Sequence, residues 1–109
     1  PPYMRGYETM PRLSIEHPHT LGEDEAIRRI KDKIEKDKEA FAGQFSNADD
    51  NWQGNTLSFG FEAVGMKVSG TMAVEDTAVK IDVQVPLAAM MFKGAIQQKV
   101  REDLDKLLA

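Results

Sequence analysis

The sequence has no cysteine among its 109 residues, and this absence excludes several kinds of site. Disulfide bonds, zinc–thiolate centres and cysteine nucleophiles all need a residue that the chain lacks. The length suits one domain, and a domain of this size buries roughly 65% of the surface that its unfolded chain exposes. We therefore expect a fold that needs no metal, disulfide or cofactor for its stability.

The sequence also lacks a long apolar run and an excess of basic residues. Its longest apolar stretch is Pro86–Phe92, far shorter than the roughly 20 residues of a membrane-spanning helix. No basic-then-apolar secretory signal opens it. With 14 basic and 18 acidic residues, the formal net charge is −4, which argues against binding to nucleic acid. We expect a cytoplasmic protein without a membrane span or a nucleic-acid partner.

Histidine is scarce, and both copies flank one proline, as His17–Pro18–His19. A metal site needs about three ligands, whereas here there are two histidines, and the proline between them turns the chain. Glycine-rich nucleotide loops and the serine nucleophile elbow are absent too. We predict that the two histidines shape a corner between a strand and a helix. The alternative is a metal-binding or catalytic pair.

Alternating apolar and polar residues predict four strands. The first is Arg12–His17, ended by Pro18, and Leu13, Ile15 and His17 share its inner face. The others lie around 57–62, 66–74 and 79–85, and the short gaps between them predict antiparallel hairpins. The first strand has two open positions: parallel beside the second or antiparallel beside the fourth.

Two helices are predicted from residues at helical spacing. The first follows a capping box, Thr20–Glu23, and carries an apolar stripe formed by Ile27, Ile30, Ile34, Phe41 and Phe45. The second follows Pro86, with a core face formed by Ala89, Phe92, Ile96, Val100, Leu104 and Leu107.

These elements predict the α+β class. We expect a two-layer β-α-β-β-β-α domain over residues 10–109, with both helices on one face of a four-stranded, largely antiparallel sheet. Residues 1–9 show no periodicity and are predicted to be an N-terminal extension that is disordered or not native. The polar stretch Ser46–Asn55 is predicted to be a loop, in which Trp52 plugs one end of the core or stacks on a ligand.

The stretch Pro86–Ile96, read PLAAMMFKGAI, does not fit one helix face. If the second helix starts near Leu87, then Leu87 and Met91 point away from the core stripe and Met90 lies at its edge. Their cover would be a second subunit, the first helix or a hydrophobic surface, and methionine suits such adaptable contacts. The alternative is a later helix start, with residues 87–91 packed down as a loop.

Several short motifs, in this order, resemble those of the polyhydroxyalkanoic acid system proteins: Ser14–Leu21, Asn55–Phe59, Val68–Thr71, Pro86–Leu87 and Phe92–Ile96. The resemblance covers Met10–Ala109. It implies a small bacterial protein encoded near genes for the synthesis and use of a storage polyester, some of whose products coat the polymer granule. It brings no catalytic residues.

Three functions follow as hypotheses. The first is a non-enzymatic accessory protein that uses Leu87, Met90, Met91 and Phe92 to bind a granule, a granule-associated protein or a second copy of itself as a homodimer. The second is a small hydrophobic-ligand binder of the helix-grip type, an analogy of fold alone. The third is an enzyme acting on hydroxyacyl groups, with His17 or His19 as base.

Overall fold

The computed structural model describes residues 11–44, 46–63 and 65–109. The predicted extension, residues 1–9, lies outside them, as does Phe45 of the predicted helical stripe. The elements are β1 (Arg12–Pro18), α1 (Glu23–Ala40), β2 (Ser46–Gln53), β3 (Thr56–Ala63), β4 (Met66–Val74), β5 (Ala78–Gln84), a 3₁₀ helix (Leu87–Phe92) and α2 (Lys93–Leu107).

Within the described residues, five strands form one antiparallel sheet in the order β1-β5-β4-β3-β2. The α+β class and the antiparallel hairpins are therefore confirmed. Of the two positions open to the first strand, β1 takes the one antiparallel to β5, with Ile15 opposite Ile81. This arrangement places both β1 and β2 at edges of the sheet.

The predicted number of four strands is wrong, because the stretch predicted to be a loop forms β2. Its register against β3 pairs Trp52 with Leu57 and Asp50 with Phe59, and it is irregular between Ser46 and Asp49. A strand at a sheet edge pairs with one neighbour and is more exposed to solvent. Polar residues can therefore form it without the alternation of apolar and polar residues by which an inner strand is recognised. Trp52 supplies the apolar contact of β2, since it is partly buried against the core.

The predicted capping box at Thr20 is also wrong. Gly22 takes a positive φ of 83°, which turns the chain so that α1 begins at Glu23, and no side chain of the preceding segment caps the helix. The cap comes instead from the β4–β5 turn, where Asp76 Oδ1 accepts a hydrogen bond from Glu23 N at 3.1 Å. An acceptor from a distant turn satisfies the same free N–H groups of the first helical turn.

The core lies between the two helices and one face of the sheet. Its buried members come from β1, α1, β4, β5 and the end of α2: Ile15, Ala26, Ile30, Val74, Val79, Ile81, Leu104 and Leu108. Arg29 ties the helices together, because its Nη1 donates to the carbonyl oxygen of Leu107 at 3.1 Å. The first half of α1 and the last turns of α2 are thus joined both by core contacts and by a hydrogen bond.

Neither helix within the described residues has the length and apolarity that crossing a membrane would require.

Candidate functional site

His19 is buried, with 7% of its surface exposed, and both of its ring nitrogens have partners. Nε2 lies 2.8 Å from the carbonyl oxygen of Glu75, and Nδ1 lies 3.2 Å from the backbone nitrogen of Leu21. A carbonyl can only accept and a backbone N–H can only donate, so the ring is neutral with its proton on Nε2. The ring joins the β1–α1 corner to the β4–β5 turn.

His17 lies on the inner side of β1 and contacts α2. Its Nε2 is 2.7 Å from Asp105 Oδ1, and the side chain is 13% exposed. Its Nδ1 is buried without a hydrogen-bond partner among the described residues. A histidine next to a carboxylate supplies two of the three members of a nucleophilic triad. The third would be a hydroxyl hydrogen-bonded to Nδ1, and the described residues place none there.

The two histidines therefore point to different neighbours, although one residue separates them. Within residues 11–44, 46–63 and 65–109, no three side chains of the metal-binding kind converge on one point. The two hydrogen bonds of His19 are what a role in shaping the corner would need, and that role stays a prediction. For His17, the contact with Asp105 fixes the end of α2 against β1.

The 3₁₀ helix carries the most exposed apolar side chains of the described residues. Leu87 is 73%, Met91 84% and Phe92 61% exposed, whereas Met90 is partly buried. Pro86 is extended, and the six residues after it form 3₁₀ turns in which side chains three apart lie above one another. Each of the two predictions for this stretch therefore holds only in part: α2 starts later than Leu87, at Lys93, but Leu87 and Met91 are exposed and do not pack down.

Phe92 was predicted to lie on the core face of the second helix, and this prediction is wrong. Burial decreases from the end of α2 towards its start: Leu104 is buried, Val100 and Ile96 are partly buried, and Phe92 is exposed. The last turns are held by hydrogen bonds with His17 and Arg29, and side-chain exposure rises from there towards the 3₁₀ helix. The 3₁₀ helix therefore projects from the core.

A second feature escaped the sequence analysis, namely an open apolar groove beneath the second half of α1. Its volume is about 250 Å³. Its apolar walls come from α1, β3 and β4: Ile34, Leu57, Phe59, Phe61 and Met72. The signal was present in the sequence, because Asp37 and Lys38 interrupt the apolar stripe of the first helix. A helix with charges at that position cannot cover the phenylalanines beneath it.

The rim of the groove is charged. Lys38 Nζ lies 2.8 Å from Asp50 Oδ1 and 3.4 Å from Glu35 Oε1. The hydrogen bond to Asp50 raises the pKa of Lys38. Asp49 also lines the rim, is exposed, and has no ion-pair partner in the part of the chain that the structure describes. Asp37, the third carboxylate of the rim, is paired with Lys33 Nζ at 3.0 Å, so the uncompensated charge of the rim is that of Asp49.

A smaller recess of about 170 Å³ lies on the other side of α1, towards α2. Ile34 and Met72 line both spaces and separate them. This recess is also lined by Ile30 and by Leu104 of α2, so it reaches the part of α1 that is buried in the core.

Comparison with known proteins gives one match. No curated protein and no solved structure matches the chain significantly. A family model described as "Putative polyhydroxyalkanoic acid system protein" matches residues 13–108, which include every strand and helix described above except the first residue of β1. The chain therefore belongs to this family of polyhydroxyalkanoic acid system proteins.

Proposed function

We propose that this protein is a non-enzymatic accessory protein of bacterial polyhydroxyalkanoate metabolism that works by attachment to an apolar surface. The contact residues are Leu87, Met90, Met91 and Phe92. The surface is that of the polymer granule, with a granule-associated protein or a second copy as the other candidates. The observation that carries the proposal is the exposure of Leu87, Met91 and Phe92 on a single projecting 3₁₀ helix.

The strength of such a contact can be bounded. Full burial of one large apolar side chain contributes about 1.5–3 kcal/mol, so three of them contribute roughly 5–9 kcal/mol. Association costs an estimated 4–15 kcal/mol in lost freedom, which offsets most of that sum. We therefore expect reversible attachment, with many copies on one granule, rather than an obligate dimer held by this segment alone.

The family gives the setting for this contact. A storage polyester has uncharged ester groups and alkyl carbons, so its granule offers apolar surface in the cytoplasm. The net charge of −4 and the polar outer side of the sheet suit the part of an attached molecule that faces water. Attachment through the 3₁₀ helix would leave that outer side free.

The direct test is sedimentation with polyhydroxyalkanoate granules stripped of their native proteins. The unmodified chain should sediment with the granules, and the triple variant Leu87→Gln, Met91→Gln and Phe92→Gln should lose at least about tenfold in the bound fraction. Met66→Gln is the matched control, since Met66 is 37% exposed at the start of β4 and should bind as before.

Sedimentation velocity without granules separates the candidates. Dissociation of a dimer by the triple variant would identify self-association as the role of the segment. If the triple variant stays with the granules and keeps the same mass in solution as the unmodified chain, attachment through the 3₁₀ helix is wrong.

A further inference from the structure

The groove beneath α1 differs from the 3₁₀ helix in both position and chemistry. It is a concave space between the second half of α1 and strands β3 and β4, lined by Ile34, Phe59 and Met72 among others. Its volume of about 250 Å³ is below the roughly 300 Å³ at which drug-sized ligand sites begin, so it fits a narrow chain better than a ring system. Because the walls are apolar, the part of a ligand that enters must be apolar too.

The rim decides which head group such a chain can carry. Of the three carboxylates at the rim, Asp37 is paired with Lys33 at 3.0 Å and Asp50 with Lys38 at 2.8 Å. Asp49 has no ion-pair partner among the described residues, so it carries the uncompensated negative charge of the rim. A free fatty acid would bring its own carboxylate to this rim and would be repelled. An ester has no charge and would not be.

We propose that the groove is a binding site for a short, uncharged acyl chain in ester form, and that Asp49 is the residue that rejects the free acid. This inference does not rest on attachment through the 3₁₀ helix, because a different surface carries it. According to this proposal, the protein binds an ester and rejects the free acid that hydrolysis of the ester would release.

Trp52 provides the readout. It is the only tryptophan of the chain, it pairs with the groove residue Leu57 across β2 and β3, and its ring lies 5.1 Å from Lys31 Nζ. Trp52 does not itself line the groove, but Leu57 does, so we expect a chain that enters to change the tryptophan fluorescence through Leu57. Calorimetry gives an independent affinity.

The experiment titrates the full chain with methyl octanoate and, separately, with octanoate at neutral pH. The ester should bind about fivefold to tenfold more tightly than the carboxylate, as expected for like charges near a solvated rim. Along the series methyl butanoate, hexanoate and octanoate, each methylene that enters the groove should tighten binding about fourfold. Equal affinity for octanoate and its methyl ester would overturn the proposal.

Two variants sharpen the test. Asp49→Lys should raise the affinity for octanoate about tenfold and leave the ester unchanged, whereas Glu16→Lys, the same charge change at an exposed position of β1, should alter neither. Ala48→Phe should fill the groove and abolish binding of both probes, whereas Ala40→Phe, at the exposed end of α1, should not. Unchanged binding in both Asp49→Lys and Ala48→Phe would contradict the assignment.

Competition against methyl octanoate identifies where the ester comes from. Displacement by polyester particles assigns it to the storage polymer, and displacement by phosphatidylcholine vesicles assigns it to a lipid. The triple variant of the 3₁₀ helix should bind methyl octanoate like the unmodified chain, so failure of surface attachment and failure of the groove site are separable.

Discussion

The imidazole of His17 and the carboxylate of Asp105 join β1 to the last turns of α2, with 2.7 Å between Nε2 and Oδ1. Asp105 is 73% exposed, so water can replace its partner if the imidazole is removed. His19 is the residue that follows β1, and its partners are partly buried backbone groups of Glu75 and Leu21. Water cannot easily replace the imidazole at these two groups.

This difference predicts unequal effects of the same substitution. His19→Leu should lower the free energy of unfolding by about 2–4 kcal/mol, because it leaves a carbonyl and an N–H group without partners. His17→Leu should cost less than about 1 kcal/mol, since the carboxylate of Asp105 stays hydrated and the substitution also removes an unpaired buried nitrogen. Urea unfolding measures both. A larger loss for His17→Leu than for His19→Leu would contradict the corner role of His19.

Two glycines in neighbouring strands form a second matched pair. A Cβ at Gly70 would lie 2.9 Å from Val83 Cα and within contact of the Asp82 carbonyl, both of them backbone atoms that cannot move aside. A Cβ at Gly60 would meet nothing closer than 3.7 Å. Gly70→Ala should therefore destabilise by about 1–3 kcal/mol or more, and Gly60→Ala by much less. Thermal unfolding of the two variants checks this, and equal effects would show that close approach of backbone at Gly70 is not the cause.

The acid end of the stability curve should depend on Glu25. Hydrogen bonds from Arg28 and then Arg29 lower the pKa of this carboxyl from 4.5 to about 2. Because the folded-state pKa is the lower one, the stabilisation is fully present above pH 4.5 and disappears as the pH falls through about 2.

Glu25→Gln should therefore flatten the fall of Tm between pH 4.5 and about 2, and added salt should reduce the difference from the unmodified chain. Glu39→Gln makes the same charge change at an exposed position near the end of α1 and is the control. An acid profile of Glu25→Gln that matches the unmodified chain would show that these ion pairs do not act on folding.

Regular periodicity made most of the fold predictable from the sequence. The alternation in β1, β3, β4 and β5, together with the apolar stripe of α1, gave the elements and their antiparallel hairpins. The edge strand β2 was missed because its polar residues need no burial, and the cap of α1 was misplaced because Asp76 lies 53 positions away from Glu23. Contacts between distant segments leave no mark in local spacing.

The 3₁₀ helix and the groove beneath α1 also differ in whether local sequence spacing could reveal them. The mismatch of Leu87 and Met91 with one helix face was visible in the sequence, because it depends on neighbouring residues alone. The groove depends on how α1 is placed on the sheet, which makes Ile34 and Phe59 line one space, and no local pattern gives that placement. Only the interruption by Asp37 and Lys38 hinted that the apolar stripe of the helix does not continue over Phe59 and Phe61, which are partly buried.

The position of β2 at the edge of the sheet affects how copies of the protein interact when they are crowded together. An exposed edge strand is a template on which another copy can add a strand, and the risk grows where many copies are gathered on one surface. Asp49 and Asp50 place negative charge along this edge, and the irregularity between Ser46 and Asp49 breaks its regular row of backbone donors and acceptors. Neutralising this pair of aspartates would open a route to fibrous aggregation that the natural sequence keeps closed.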